Sequence, residues 1–299
     1  MRKEMNCKAR RNNAQSAMEY LMTYGWAILI ISVVLVVLFS MGITNPLFFA
    51  PKVSPGSCQA IRPNGPRTSF DMNLAGECNN QIPSTVSTFR DSPSYVNVSD
   101  SETIEFLGKR SITLYAWVYL DSYTNDRSII IEHLAQYYLT IDGNGYIAGY
   151  LYGVGGYYRS TGKIPLNAWT EIAMTYNGTY VAFYINGKRD SSIPASGTIQ
   201  YANGVAPDQP LHFGYESTYL PRQLSGSLAD IQIYNASLDQ QQISALYLEG
   251  IGGVPINLQN LEGWWPLNGN ANDYSGNNND GIATNVIWSG TWWQDYSAP

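Results

Sequence analysis

The chain is poor in charge and in the side chains that most often carry chemistry. Charged residues make up only 13% of its 299 residues, and the formal net charge is −6. An acidic chain lacks the basic surface that nucleic acid phosphates require, so we expect no nucleic acid partner. The two histidines, His133 and His212, do not have the spacing of a metal-ligand pair. The sequence also lacks the Gly-x-Ser-x-Gly elbow of many serine hydrolases, so we do not expect an enzyme.

Charge is absent altogether between Glu19 and Lys52, in a stretch that is mostly apolar. A helix over 20–43 would be about 36 Å long, which is enough to cross a bilayer, so membrane lipid is an expected partner. The basic residues before it predict that the N-terminus stays in the cytoplasm. We therefore expect a leader at 1–14, a transmembrane helix at 15–45, and a cell-surface location for everything that follows.

The order of residues in this segment differs from that of an ordinary secretory signal peptide, because the small residue Ala14 precedes the apolar run. Residues 8–43, with Ala14-Gln15, Glu19 and the apolar run, resemble the class III signal peptide of archaeal type IV pilins and pilin-like surface proteins. The resemblance implies that a prepilin peptidase cuts between Ala14 and Gln15. Only the leader would be lost, and Glu19 would take the fifth mature position. There its carboxylate could pair with the free amine of a like subunit in a filament.

The alternative is an uncut signal anchor that carries a binding domain outside the cell and does not assemble. A carboxylate at the edge of an apolar helix is costly in lipid unless it is paired. The position of Glu19 therefore favours the pilin-like interpretation.

The exported part carries two signs of an oxidising, extracellular environment. Of three cysteines, Cys7 lies in the leader, whereas Cys58 and Cys78 follow the helix. Two cysteines outside the cell predict one disulfide, which would stabilise the fold by about 3 kcal/mol for a loop of this length. Three sequons predict a glycoprotein, at Asn97, Asn177 and Asn235.

The distribution of prolines and aromatic residues divides the exported part. Seven prolines between residues 46 and 94 predict a neck that is stapled by the disulfide and holds one or two short strands, such as one at 68–74. From residue 95 onward, short aromatic and β-branched runs alternate with turn signals such as Asp142-Gly143 and Asn186-Gly187. One helical pattern occurs at 238–248, before Gly250. This pattern predicts a mainly β protein, an antiparallel β-sandwich.

Three segments carry a second resemblance. Residues 112–120, the hairpin at 183–188, and the run from Leu224 to Leu238 resemble laminin G-like, concanavalin A-type jelly-roll domains. The resemblance covers residues 95–250. An aromatic-Pro segment that usually opens such domains stands instead at 264–276. It belongs either to a truncated second domain or to a circularly permuted one. About 40 residues cannot bury a core of their own, which favours permutation, with 262–299 supplying edge strands to a head at 95–299.

The second resemblance implies a binding function. Glucanases of this fold carry clustered carboxylates on one strand, in a Glu-x-Asp-x-x-Glu pattern that this sequence lacks. A glycoside hydrolase is therefore the weaker alternative. We expect a surface-displayed pilin-like subunit whose lectin-like head binds carbohydrate or glycoprotein and serves adhesion.

Two stretches are candidate binding residues. Asp273, Asn277 and Asp280 form an oxygen-rich loop that could hold calcium, or Asp273 could simply cap its own Asx turn. The tyrosines between residues 150 and 158 could stack on sugar rings, or they could pack against one another across strands.

Overall fold

The computed structural model describes residues 24, 26–36, 83, 85–90, 93–124, 126–134, 136–206, 209–215, 222–297 and 299. The chain divides into two compact units, Met1–Lys52 and Val53–Pro299. In the first unit, residues 26–36 form a helix, α1. Among the described residues, no helix is long and apolar enough to span a membrane. The expected cleavage site Ala14-Gln15, the carboxylate Glu19, the cysteines Cys58 and Cys78, and the ends of the expected 15–45 helix lie outside the described residues.

The second unit is a sandwich of two antiparallel sheets, as expected for a concanavalin A-like jelly roll. Its described strands are β1 (Val86–Phe89), β2 (Tyr95–Val98), β3 (Ile112–Leu120), β4 (Arg127–His133), β5 (Tyr137–Asp142), β6 (Tyr146–Leu151), β7 (Tyr157–Lys163), β8 (Thr170–Tyr176), β9 (Tyr180–Ile185), β10 (Lys188–Pro194), β11 (Leu211–Phe213), β12 (Gly226–Tyr234), β13 (Leu261–Trp265), β14 (Gly281–Thr284) and β15 (Ile287–Ser289). The helix α2 (Gln240–Glu249) follows β12.

The two sheets have different strand orders. The eight-stranded sheet runs β10-β9-β8-β3-β12-β1-β15, with β13 also paired to β12. Because β1 pairs with the first half of β12 and β13 with the second half, these two short strands share the edge of β12 opposite β3. The seven-stranded sheet runs β14-β2-β11-β4-β5-β6-β7.

In the seven-stranded sheet, successive side chains of a strand point alternately into the core and toward solvent. In β2, Val96 and Val98 are fully buried in the core between the sheets, whereas Tyr95 and Asn97 point outward and are partly exposed. In contrast, β12 is buried along its whole length. The reason is a second apolar layer outside the eight-stranded sheet, where Trp117 packs with residues of α2 and with Trp292 near the C-terminus.

Local sequence signals set the turns and the helix. The hairpin between β9 and β10 turns at Asn186 and Gly187, with φ of +50° and +71°, which suits a two-residue turn that needs positive φ at both positions. Helix α2 begins after Asp239, whose carboxylate accepts hydrogen bonds from the N–H groups of Gln241 and Gln242. This capping box fixes the start of the helix close to the expected position.

The C-terminal residues are part of the sandwich. β13 pairs with β12, β14 pairs with β2, and β15 pairs with β1. Trp265 is fully buried between the sheets, and Trp264 and Trp288 are partly buried. Among the described residues the sandwich begins at Val86, so β1 lies within the 46–94 neck, where one or two short strands were expected but none was placed at 86–89. A four-residue strand between prolines is too short to show a clear alternation.

Candidate functional site

The outer face of the seven-stranded sheet carries a row of side chains that are directly opposite one another in successive strands. The members of this cross-strand row, from β14 to β7, are Ile282, Asn97, His212, Glu132, Tyr138, Tyr150 and Tyr157. Directly paired residues lie on the same face of a sheet. With strands about 4.8 Å apart, the distance from Asn97 to Tyr157 is about 24 Å. The row therefore crosses the whole sheet, although Glu132 in its middle is only 3% exposed.

One end of the row is aromatic. The ring of Tyr150 is stacked 5.7 Å from that of Tyr138, and it lies 4.6 Å from the ring of Tyr152. Tyr157 continues the row at the edge strand and is 47% exposed. We call Tyr138, Tyr150, Tyr152 and Tyr157 the tyrosine platform. Burial raises the pKa of Tyr138 and of Tyr157, so their phenols stay protonated at neutral pH.

Arginines flank the platform and lie against its rings. The Arg127 guanidinium lies 5.5 and 5.8 Å from the ring centroids of Tyr138 and Tyr157, and it donates a hydrogen bond to the Tyr138 hydroxyl. Arg127 Nε also lies 3.5 Å from Asp126 Oδ1. The Arg159 guanidinium lies over the ring of Tyr146, 3.7 Å from its centroid.

Acidic partners compensate these cations. Arg159 lies 2.7 Å from the carboxylate of Asp142, and Arg222 lies 2.7 Å from that of Asp126. Burial alone would raise the pKa of Asp126, but the hydrogen bonds and charges of Arg222 and Arg127 outweigh this effect, and the pKa is lowered. Arg159 and Asp142 form one pair, whereas Arg127 and Arg222 share Asp126, so two carboxylates face three arginines beside the platform.

Near the other end of the row, one strand before the exposed Ile282 of β14, lies a pocket of about 320 Å³. We call it the end pocket, and it is lined by Pro93, Tyr95, Asn97, Pro210, His212 and Tyr215. The rings of Tyr95 and Tyr215 are stacked at 6.0 Å, and the ring of His212 meets that of Tyr95 edge-on at 6.0 Å. Asn97 Oδ1 is buried and has no hydrogen-bond partner in the described part of the chain.

The structure assembles the platform from strands that sequence reasoning treated separately. Of the tyrosines between residues 150 and 158, Tyr150, Tyr152 and Tyr157 join the platform, whereas Tyr158 is 6% exposed and packs into the core. Sequence analysis missed Tyr138, although its alternation in β5 marks it as outward-facing. It also missed the end pocket, because β11 lies between β2 and β4, and nothing in the local pattern predicts that order.

The proposed calcium loop is occupied by its own hydrogen bonds. Asp273 Oδ1 accepts from the N–H of Trp264, and Oδ2 accepts from the N–H of Asn279. Asp280 accepts from the N–H of Asp273, and Asn277 donates its amide to backbone carbonyls. Asp273 Oδ1 also accepts from the N–H of Ser275, which closes an Asx turn, and the bond from Trp264 ties the loop to β13. In the described part of the chain, no cluster of three or more His, Cys, Asp or Glu residues is placed to hold a metal ion.

The three sequons occupy different environments. Asn177 is exposed, in the turn between β8 and β9, and its Oδ1 accepts hydrogen bonds from Thr179 and Tyr180. Asn97 lines the end pocket. Asn235 is partly buried, and its amide donates to the carboxylate of Glu262.

Two buried carboxylates lie on the eight-stranded sheet. Burial raises the pKa of Glu171 to about 8 and that of Asp230 to about 7. Glu171 accepts a hydrogen bond from the N–H of Gly187, and Asp230 accepts one from Trp264 Nε1. The two side chains are 0% and 1% exposed, so neither faces a solvent-filled cleft. Both carboxylates therefore belong to the packing and hydrogen bonding of the sheet.

Comparisons with known proteins agree on the fold. A family model described as the concanavalin A-like lectin/glucanases superfamily matches residues 90–244. No curated protein sequence matches the chain.

Several solved structures resemble the sandwich. A Bacteroides ovatus protein, whose carbohydrate-binding role is a provisional assignment, has a TM-score of 0.55 at 14% identity, over 69% of this chain and 60% of its own length. The heptameric SAP-like pentraxin of Limulus polyphemus has a TM-score of 0.47 at 14% identity, over 69% of this chain and 94% of its own. The binding domain of Paraclostridial Mosquitocidal Protein 1 has a TM-score of 0.42 at 16% identity, over 55% of this chain and 42% of its own. At 14% identity the likeness to the Bacteroides ovatus protein concerns the fold alone.

Proposed function

Because the chain belongs to the concanavalin A-like lectin/glucanase superfamily, we propose that its head binds carbohydrate on the outer face of the seven-stranded sheet. The observation that carries the proposal is the tyrosine platform on the outer face, which is in register with His212 and Asn97 across the buried Glu132. Tyrosines offer an apolar ring face together with a hydroxyl. Ligand sites typically combine such aromatic surface with a few polar groups. Sugars present the matching combination of apolar ring faces and hydroxyls.

We propose binding rather than hydrolysis. Glycosidases need two carboxyl groups flanking the scissile bond. The cross-strand row contains one carboxylate, that of Glu132. Asp142 and Asp126, which lie beside the platform, form ion pairs with arginines. This face therefore supports recognition of a glycan better than its cleavage.

The experiment that tests this proposal compares substitutions of two tyrosines, one in the platform and one on the other sheet. Binding is measured on a printed array of neutral oligosaccharides, followed by calorimetric titration of the glycans that bind. Tyr150→Ala removes the centre of the platform. Tyr180→Ala is the matched control, since Tyr180 is 48% exposed on β9 of the other sheet. We expect Tyr150→Ala to weaken binding at least tenfold and Tyr180→Ala to leave it unchanged. Equal affinities for the two variants would contradict the proposal.

For delivery to the surface we propose the pilin-like route. It is supported by the basic leader, by Ala14-Gln15 ahead of the apolar run, and by Glu19. Mass spectrometry of the mature N-terminus tests it: a chain that starts at Gln15 is expected, and a chain that starts at Met1 would exclude processing. Electron microscopy of cell-surface fractions then separates a filament subunit from an anchored protein that does not assemble.

A further inference from the structure

We propose that the tyrosine platform prefers an acidic glycan, whose sugars carry carboxylates that bind Arg159 and Lys163 beside the platform. This inference rests on the carbohydrate binding proposed above. It adds the chemical class of the glycan and the side chains that select it.

The outward side chains of the end strand β7 lead from the platform to two cations. Tyr157 belongs to the platform, and Arg159 follows it on the same face two residues later. Lys163 is exposed and lies directly opposite Tyr146 of β6. Tyr146 and Tyr150 are four residues apart on one face of β6, which corresponds to about 14 Å. A chain of a few sugar rings can therefore contact the platform and reach both cations.

The two cations share the ring of Tyr146. The Arg159 guanidinium lies 3.7 Å from the ring centroid and Lys163 Nζ lies 5.0 Å from it. Arg159 is paired with Asp142 and keeps 40% of its side chain exposed. Lys163 forms no ion pair with any carboxylate in the described part of the chain. Two cations held close together repel each other, and an anion bound between them relieves the repulsion.

The charges around this site leave an excess of cations. They are Arg127, Arg159, Arg222 and Lys163 against Asp126 and Asp142. The excess remains when Asp190 is counted, whose carboxylate accepts hydrogen bonds from the N–H groups of Thr161 and Gly162. Glu132 is only 3% exposed and lies beyond the platform, away from β7. Because the whole chain has a net charge of −6, the site is opposite in sign to the rest of the protein. A guanidinium also matches the planar geometry of a carboxylate.

Matched pairs of glycans test this inference on the full-length protein by calorimetric titration. The probes are hexamannuronate against mannohexaose and hexaglucuronate against cellohexaose, so that each pair shares its β-1,4 linkage and differs in its carboxylates. For at least one pair we expect the acidic member to bind at least tenfold more tightly at low salt. Added sodium chloride should reduce that ratio, because salt screens the charges. Acidic members that bind no more tightly than their neutral partners in both pairs would overturn the inference.

Variants test whether the two cations cause the preference. Lys163→Gln and Arg159→Gln should each bring the ratio of acidic to neutral affinity close to one. Lys109→Gln is the matched control and should keep the wild-type ratio, since Lys109 is exposed and lies near Glu262 of β13 in the other sheet.

The outcomes separate this inference from the proposed function. A ratio that stays at the wild-type value in Lys163→Gln and Arg159→Gln, or that falls equally in Lys109→Gln, overturns the site. The carbohydrate binding proposed above survives that result, because it depends on the loss of binding in Tyr150→Ala. If no member of either pair binds, the proposed function and this inference fail together.

Discussion

The carboxylate of Asp190 accepts a hydrogen bond from the backbone N–H of Gly162 at 2.7 Å and another from that of Thr161 at 2.6 Å. Asp190 lies in β10 and Gly162 in β7, and these are the end strands of the two sheets. One side chain therefore joins the sheets along one side of the sandwich, next to the tyrosine platform. The contact leaves no room for a side chain at position 162, where an added Cβ would lie 2.6 Å from Asp190 Oδ1.

This relationship predicts that substitutions at the two positions are coupled. Asp190→Ala should lower the free energy of unfolding by about 1–2 kcal/mol, because the two hydrogen bonds are lost at a partly exposed site. Gly162→Ala should also destabilise, because the new methyl group meets the carboxylate. In the double variant the new methyl group no longer meets a carboxylate. Its loss in the free energy of unfolding should therefore be smaller than the sum of the losses in the two single variants. Urea unfolding of all four proteins measures this, and strict additivity would argue against the contact.

Stability should fall as the pH rises. Burial raises the pKa of Glu171 to about 8 and that of Asp230 to about 7. The folded protein therefore holds these protons more tightly than the unfolded chain does. The stabilisation is fully present below the unfolded pKa values near 4, and it is lost as the pH rises toward 8. Between pH 5 and pH 9 we expect the free energy of unfolding to fall by about 2 kcal/mol or more.

Glu171→Gln is the matched variant for this pH dependence. The amide keeps an oxygen that can accept the hydrogen bond from Gly187, but it cannot ionise. The variant should therefore unfold with a shallower dependence on pH than the wild type, by thermal melts at pH 5, 7 and 9. Parallel curves for the two proteins would show that Glu171 does not titrate in this range.

The C-terminal strands should be needed for folding. Truncation after Gly250 removes β13, β14 and β15, which exposes the edges of β12, β2 and β1. It also removes Trp265, which packs against Phe213 and donates a hydrogen bond from Nε1 to the Asn279 carbonyl at 2.8 Å. Loss of that side chain alone should lower the free energy of unfolding by about 3–5 kcal/mol. A truncated protein that melts cooperatively at the wild-type temperature would refute this expectation.

Glycosylation should favour one sequon over another. Asn177 is exposed in a turn, whereas the Asn235 amide is engaged with Glu262. If the protein passes through a glycosylating secretion route, glycopeptide mass spectrometry should find Asn177 occupied and Asn235 unoccupied. Occupancy at Asn235 would mean that its hydrogen bond to Glu262 is not formed before modification.

The sequence predicted the sandwich better than it predicted the site. Alternation in β2 and β5 and the Asn186-Gly187 turn follow directly from local physics, so strands and hairpins could be placed. The cross-strand row depends instead on β11 lying between β2 and β4, a long-range pairing that no local pattern encodes. The strand β1 was missed for a related reason. Its four residues gain their stability from pairing with β12 and β15.

The central claim is that the tyrosine platform binds a glycan. The most direct measurement is a nuclear magnetic resonance titration of protein labelled in its tyrosine rings, with the neutral oligosaccharide that binds most tightly on the array as the titrant. The account predicts that the ring signals of Tyr138, Tyr150 and Tyr157 shift with a common saturation curve, while those of the exposed Tyr180 and Tyr274 do not move. Saturable shifts confined to Tyr180 or Tyr274 would place the glycan elsewhere and contradict the account.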